Sequence, residues 1–228
     1  NSTPDNGILI FVGGLSEIRA IQNEIEEKLS HRFQYKIFTL HSMLDESHQR
    51  NVFNRMPTGV RKIVISTSMA ETSITIDDIT RVIDSGLMKE ASFDDEVKAN
   101  QLNRVWISQA NANQRKGRAG RTQPGKVYRL YSRARYQNIM SDFMQPAMQR
   151  EALDNLILRL CAMNLTNDPR DVLRGCLNAP EENRMNKSIE KLRKINAIDA
   201  RLCLSPLGTQ LNRMGVDPEI GKMVLFGL

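Results

Sequence analysis

Gln114-Arg115-Lys116-Gly117-Arg118-Ala119-Gly120-Arg121 places three arginines and a glutamine within eight residues. Arg115, Arg118 and Arg121 recur every three residues, so a helical backbone would set them on one face. Guanidinium groups so arranged fit planar or tetrahedral oxyanions, phosphate above all. A solvated basic helix surface is the plain alternative. Gly117 and Gly120 argue against it, because glycine weakens a helix without serving a merely wet face.

Upstream, Ser66-Thr67-Ser68-Met69-Ala70-Glu71-Thr72-Ser73-Ile74-Thr75-Ile76 follows the apolar run Ile63-Val64-Ile65. Taken with the arginine run, it resembles the C-terminal half of the motor of a DEAH-box RNA helicase. The arginine run is similar to helicase motif VI and the Ala-Glu-Thr-Ser segment to motif V. Ile8–Val12 with Gly13-Gly14-Leu15-Ser16-Glu17-Ile18 resembles motif IV, and Leu40-His41-Ser42 with Gln49, Val52 and Phe53 resembles the segment after it. Four motifs in the right order cover roughly residues 7 to 132. Leu204–Gly208 and Asp217–Met223, and more weakly Ser132–Tyr136, resemble the region after the motor in the RNA helicase A branch. Three positions depart from the family pattern. Gly13 stands where proline is usual, Ser68 where asparagine is, and Met69 where isoleucine is.

The chain has no Gly-x-x-x-x-Gly-Lys-Ser/Thr and no Asp-Glu-x-Asp, and its one Asp-Glu-x-His string, Asp45-Glu46-Ser47-His48, lies in a predicted helix, Asp45–Asn54, rather than at the end of an apolar strand. The phosphate cradle and metal-holding carboxylate of an NTPase are therefore missing from it. The chain reads as half a motor, an excised fragment expected to be inactive alone.

Composition fits such a piece. The 228 residues are 40% apolar and 25% charged, as in ordinary globular proteins. A net charge of +6 suits a polyanionic partner. One Trp and four Tyr make a broad base-stacking platform improbable, so phosphate-backbone contact is expected. Cys161, Cys176 and Cys203 are too few and too scattered for a disulfide framework or a zinc site, and are expected as buried thiols. No apolar stretch approaches the ~20 residues of a membrane span. An intracellular protein of nucleus or cytoplasm is expected, and mitochondria also host such helicases.

Strand-like runs at Ile8–Val12, Lys36–His41, Lys62–Thr67, Arg81–Asp84 and Val127–Tyr131 alternate with helical patterns. Continuous apolar strands predict an α/β fold, a RecA-like parallel sheet with helices on both faces. Phosphate chemistry in such sheets gathers at the carboxyl ends of the strands. Residues 87–108 break the pattern and predict a β-hairpin insertion; it is either a plain surface hairpin or, as the resemblance implies, a guide for separating strands. The expected domains are 1–133, the second RecA-like helicase domain; 134–205, a mostly helical winged-helix-like region; and 206–228, the start of a ratchet-like helical domain. Leu202-Cys203-Leu204 is expected as a short strand in the winged-helix region, which would brace the motor.

The resemblance implies the following roles. Arg118 and Arg121 are arginine fingers, and Gln114 contacts the γ-phosphate or the attacking water. Arg115 is left between phosphate ligand and structural residue, and Glu71 is a brace for its loop. Phe53 is implied to stack on the adenine face, although from the residues alone it is equally a core side chain. Ser73 couples nucleotide state to RNA grip, and Asp77 contacts ribose or metal-bound water, with Asp78 the weaker candidate. Thr67 and Thr75 hold RNA phosphates, while Gly13, Gly14 and Ser42 lie where RNA backbone passes. The implied ligands are ATP, with other NTPs compatible, and Mg²⁺ held mainly by the missing N-terminal RecA-like domain. Partners are that domain, single-stranded RNA or an overhanging RNA duplex, and protein cofactors. A non-catalytic RNA-binding scaffold and a DNA motor of the same superfamily are the competing readings. No metal site is expected in the chain itself.

Overall fold

A computed structural model describes residues 7–29, 34–72, 74–94, 99–121 and 123–227. The chain divides into two compact units. The first runs to Glu90 and resumes over Asn103–Met144; the second takes Ala91–Leu102 and the chain from Gln145 onward.

In the first unit, β1 (Gly7–Phe11), β2 (Tyr35–Leu40), β3 (Arg61–Ser66), β4 (Ile79–Asp84) and β7 (Lys126–Arg129) form one sheet. Its order is β2-β3-β1-β4-β7, and every neighbouring pair is parallel. Between the strands lie α1 (Leu15–Leu29), α2 (Glu46–Arg50) running into a tight turn at Asn51–Phe53, α3 (Met69–Thr72) and, before β7, α4 (Gln109–Lys116). β5 (Leu87–Asp94) and β6 (Ala99–Trp106) make a separate two-stranded sheet, the expected hairpin. The divide between the units runs through it.

Period-two alternation sends neighbouring apolar side chains to opposite faces. Leu9, Phe11, Phe38, Leu40, Val64 and Val82 pack with Val52, Ala70, Ile74 and Ile76 on one face. Ile63, Ile65 and Ile10 pack with Ile18, Ile21 and Ile25 of α1 on the other. Both faces are buried, which is why these strands read as unbroken apolar runs.

The expected boundary at 133/134 differs from the observed divide, which falls after Met144. The physical reason is a cluster of Ile107, Ala112 and Met140 that also holds Tyr131 and Tyr136, the last on α5 (Arg133–Asn138). Those contacts keep the segment with the sheet.

The second unit contains α6 (Ala147–Arg150), α7 (Asp154–Met163), α8 (Pro169–Arg174), α9 (Glu182–Lys194), α10 (Pro206–Met214) and α11 (Pro218–Phe226). Leu153, Ile157, Leu158, Leu173, Ile189 and Leu192 share a core with Leu211 of α10, so no break falls at 205/206. Ser205 Oγ accepts the Gly208 amide at 2.9 Å, and Asp217 Oδ1 accepts that of Glu219 at 2.9 Å. Each cap precedes a first-turn proline. The expected strand 202–204 is only a single bridge, Ile198 to Leu204. Leu202 sits at φ +65, a left-handed backbone that ends any extended run. Cys203 is exposed rather than buried. Burial pushes the Cys161 thiol up to about 11. Among the described residues no helix is long and apolar enough to cross a membrane.

A methyl added at Gly208 would lie 1.9 Å from the Ala197 carbonyl oxygen, whereas one at Gly175 meets nothing nearer than 3.5 Å. Gly208→Ala should therefore lower stability by about 2 kcal/mol or more despite alanine's better helix propensity. Gly175→Ala should stay near neutral, both read from urea unfolding midpoints.

Candidate nucleotide and phosphate site

The Ser108 hydroxyl caps α4 by accepting the Asn111 amide at 3.1 Å. The helix stops at Lys116, with Gly117 as its C-cap. Gly120 adopts φ +81 and its amide donates to the Ile79 carbonyl at 3.3 Å, turning the chain at the start of β4. The three arginines therefore do not share a helical face, because the two glycines end the helix between them. Arg115 points inward, Arg118 is half-buried and Arg121 is exposed.

Arg115 is fully buried. Its Nε donates to Glu71 Oε1 at 2.6 Å, one Nη to Asp84 Oδ1 at 2.8 Å and the other to the Leu87 carbonyl at 3.2 Å. Its guanidinium lies 4.8 Å from the centre of the Phe11 ring. Asn111 Nδ2 donates to the second Glu71 oxygen at 2.7 Å, and the Tyr131 hydroxyl to the second Asp84 oxygen at 2.8 Å. Burial first, and then the Asp84 charge, push the Tyr131 phenol well above its ordinary range. A buried guanidinium is tolerable only with its donors matched, and here carboxylates and a carbonyl match them. The network joins α3, β4, α4 and the start of β5.

Beyond the helix, Arg118 Nη1 donates to the Ile74 carbonyl at 3.1 Å and Arg121 Nη1 to the Thr75 hydroxyl at 3.1 Å. Arg118 Nε is buried without a hydrogen-bond partner among the described residues. Burial, then the neighbouring Arg121 charge, pull the Arg118 guanidinium below its usual range. An anion at this pair would offset the Arg121 repulsion and give Arg118 Nε an acceptor.

Thr75 also lines a cleft of about 440 Å³, with Gly7, Phe53, Arg55, Lys62, Asp77, Asp78 and Gln123 on its walls. Phe53 is half-exposed into it while Val52 fills the core, so Phe53 is not a core residue. Asp77 is exposed at the rim. Lys62 is buried and ion-paired to Asp78 at 2.7 Å; the other Asp78 oxygen is buried without a hydrogen-bond partner among the described residues. Gly7, Lys62 and Asp78 mark the amino ends of β1, β3 and β4. The cleft thus sits opposite the carboxyl edge where phosphate chemistry is expected. The reason is that motif V leaves β3 at the carboxyl edge, passes through α3 and reaches the amino edge by Thr75.

Thr67, Gly13, Gly14 and Ser42 follow β3, β1 and β2 and so gather at the carboxyl edge. Thr75 is separated from them and grouped with Phe53 and Asp77. Gly13 and Gly14 are buried. A methyl on Gly14 would stand 2.8 Å from Lys89 Cε, so a lysine side chain makes the close approach there. Ser42 is exposed, Thr67 half-buried and Gln114 exposed on α4. Ser73 lies outside the described residues. Among the described residues no group of three His, Cys, Asp or Glu side chains could hold a metal. Asp77 and one Asp78 oxygen are the cleft carboxylates, fewer donors than an all-protein octahedral Mg²⁺ site requires. Sequence reasoning missed Lys62, Asp84 and Tyr131. The available signal was charge at the end of an apolar run, Arg61-Lys62 before Ile63-Val64-Ile65 and Asp84 after Val82-Ile83.

The five-stranded parallel sheet with its helices defines a RecA-like α/β domain. A family model described as the helicase conserved C-terminal domain matches residues 1–123. The chain belongs to that family, on its DEAH-box branch. It is 40% identical over 224 residues to ATP-dependent DNA/RNA helicase DHX36 of Bos taurus, covering 98% of this chain and 22% of that protein. Identity is 40% over 220 residues to probable ATP-dependent RNA helicase DHX34 of Homo sapiens, 96% of this chain and 19% of that protein. The chloroplastic helicase DExH4 of Arabidopsis thaliana is 39% identical over 227 residues, 98% of this chain and 16% of that protein. The chain thus spans about a fifth of the length of the curated relatives it matches. Among solved structures, the crystal structure of Escherichia coli DEAH/RHA helicase HrpB superposes with a TM-score of 0.85 at 26% identity, over 99% of this chain and 28% of that one.

Arg115→Ala would leave Glu71 and Asp84 buried and uncompensated, so it should cost about 3–5 kcal/mol. Tyr131→Phe removes one hydrogen bond to a charged group and should cost about 2 kcal/mol. Chemical denaturation of both variants checks the order.

Proposed function

We propose that the chain is the C-terminal motor fragment of an ATP-dependent RNA helicase. In the whole protein it would couple NTP hydrolysis to translocation on single-stranded RNA and to remodelling of duplexes or ribonucleoproteins. One observation carries the reading: Arg121 meets Thr75, and Thr75 shares a cleft with Phe53 and Asp77. An aromatic face, a carboxylate and spare guanidinium donors are what a base, a ribose and a phosphate chain need in turn.

In this reading Phe53 stacks on the base and tolerates several bases, since every base has a π-face. Asp77 accepts from the ribose, with Ser73 beside it in the motif. Arg118 and Arg121 are fingers that meet charge building on the transferred phosphoryl group, and Gln114 orients the attacking water. Mg²⁺, when bound, would neutralise phosphate charge and would be held chiefly by the N-terminal RecA-like domain. Thr67, Ser42, Gly13 and Gly14 form the edge that meets RNA phosphates. Thr75, implied by resemblance as an RNA ligand, serves the nucleotide here. The second unit is read as a winged-helix-like scaffold whose core α10 shares. A chain without a phosphate loop or acidic box is inactive alone.

RNA should stimulate ATP turnover by the full-length protein, and Arg121→Ala should reduce it by about 10³-fold or more. Steady-state ATPase assays with and without single-stranded RNA decide it. An inert parent, or a variant matching an active parent, would leave an RNA-binding scaffold as the better reading.

A further inference from the structure

Lys62 is the least expected residue of the cleft. It is the second residue of β3, between Arg61 and the apolar run Ile63-Val64-Ile65, shares the Val64 side of the strand and is 2% exposed. Its Nζ donates to the Val52 carbonyl at 2.8 Å and pairs with Asp78 Oδ2 at 2.7 Å. Those two partners come from different segments. Val52 anchors the tight turn whose next residue is Phe53. Asp78 closes the loop whose preceding residue is Asp77, and its own carbonyl accepts the Gly7 amide at 2.9 Å.

An apolar side chain at position 62 would extend the cluster around Val52 and Val64. Replacing a buried ion pair with packed apolar groups is often neutral or stabilising. Bulk stability therefore gives no reason for a lysine. Position does, because one ammonium fixes the Phe53 turn and the Asp77 loop at a set separation across the cleft floor.

We propose that Lys62 is a positioning residue that holds the base-stacking Phe53 and the ribose-binding Asp77 in register for one nucleoside. The proposal rests on the cleft being the nucleotide site. Lys62 need not touch the ligand; it acts through the backbone beside each residue that does.

The test uses the full-length protein with Lys62→Met and Lys62→Gln, each checked for an unchanged thermal melt. Lys62→Gln retains a donor for the Val52 carbonyl and guards against a misfolded methionine variant. Equilibrium titration with a fluorescent ATP analogue should show Lys62→Met weakening affinity about tenfold, the scale of one lost base–aromatic stack, with Lys62→Gln intermediate. KM for ATP should rise in step while kcat stays within about twofold. Competition by inorganic tripolyphosphate, which has neither base nor ribose, should be unchanged. In a Phe53→Ala background, Lys62→Met should add less than about twofold, because the two act through one contact.

Parent-like nucleotide affinity in both folded variants would overturn the positioning role alone. So would full additivity with Phe53→Ala, or an equal loss of tripolyphosphate binding. A parent protein that binds no nucleotide would instead remove the nucleotide reading of the cleft, and this proposal with it.

Discussion

The seating of α4 against α3 and the end of β4 hangs on one buried cation. Arg115 has no solvent to fall back on, so it depends on Glu71 and Asp84 beside it, with Asn111 and Tyr131 completing their hydrogen bonds. The chain then leaves α4 from a fixed point, and Arg118 and Arg121 are delivered to the Ile74–Thr75 backbone and hydroxyl. The arginine that never sees phosphate sets the direction of the two proposed to do so.

The same economy governs the cleft. Its walls come from turns and loops, which have few contacts of their own to hold them. A buried lysine and its two partners supply the missing restraint. Charge inside this domain thus serves placement, while dispersion and the hydrophobic effect supply stability through the two faces of the sheet.

The strands were legible because burial on both faces writes an unbroken apolar run, and Ile63-Val64-Ile65 can hardly be read otherwise. Caps at Ser205 and Asp217 were equally plain, since a hydroxyl or carboxylate before proline has a local cause. The arginine spacing misled for a physical reason. A period of three implies a shared face only while the backbone stays helical, and Gly117 and Gly120 end that condition. The edge of the sheet that a loop residue reaches depends on the path of the chain, which no residue type encodes; Thr75 therefore fell with Phe53 rather than with Thr67. The strand expected at 202–204 was cut short by a left-handed Leu202, a conformation that leucine does not advertise. Lys62 was visible as an oddity, but its partners, ten and sixteen positions away, were not.

The path from Thr67 to Thr75 has a mechanical consequence. The two edges of the sheet are joined through one short stretch of motif V, and Glu71, within that stretch, is tied to the buried Arg115. Motion of either edge is thereby referred to the same fixed point.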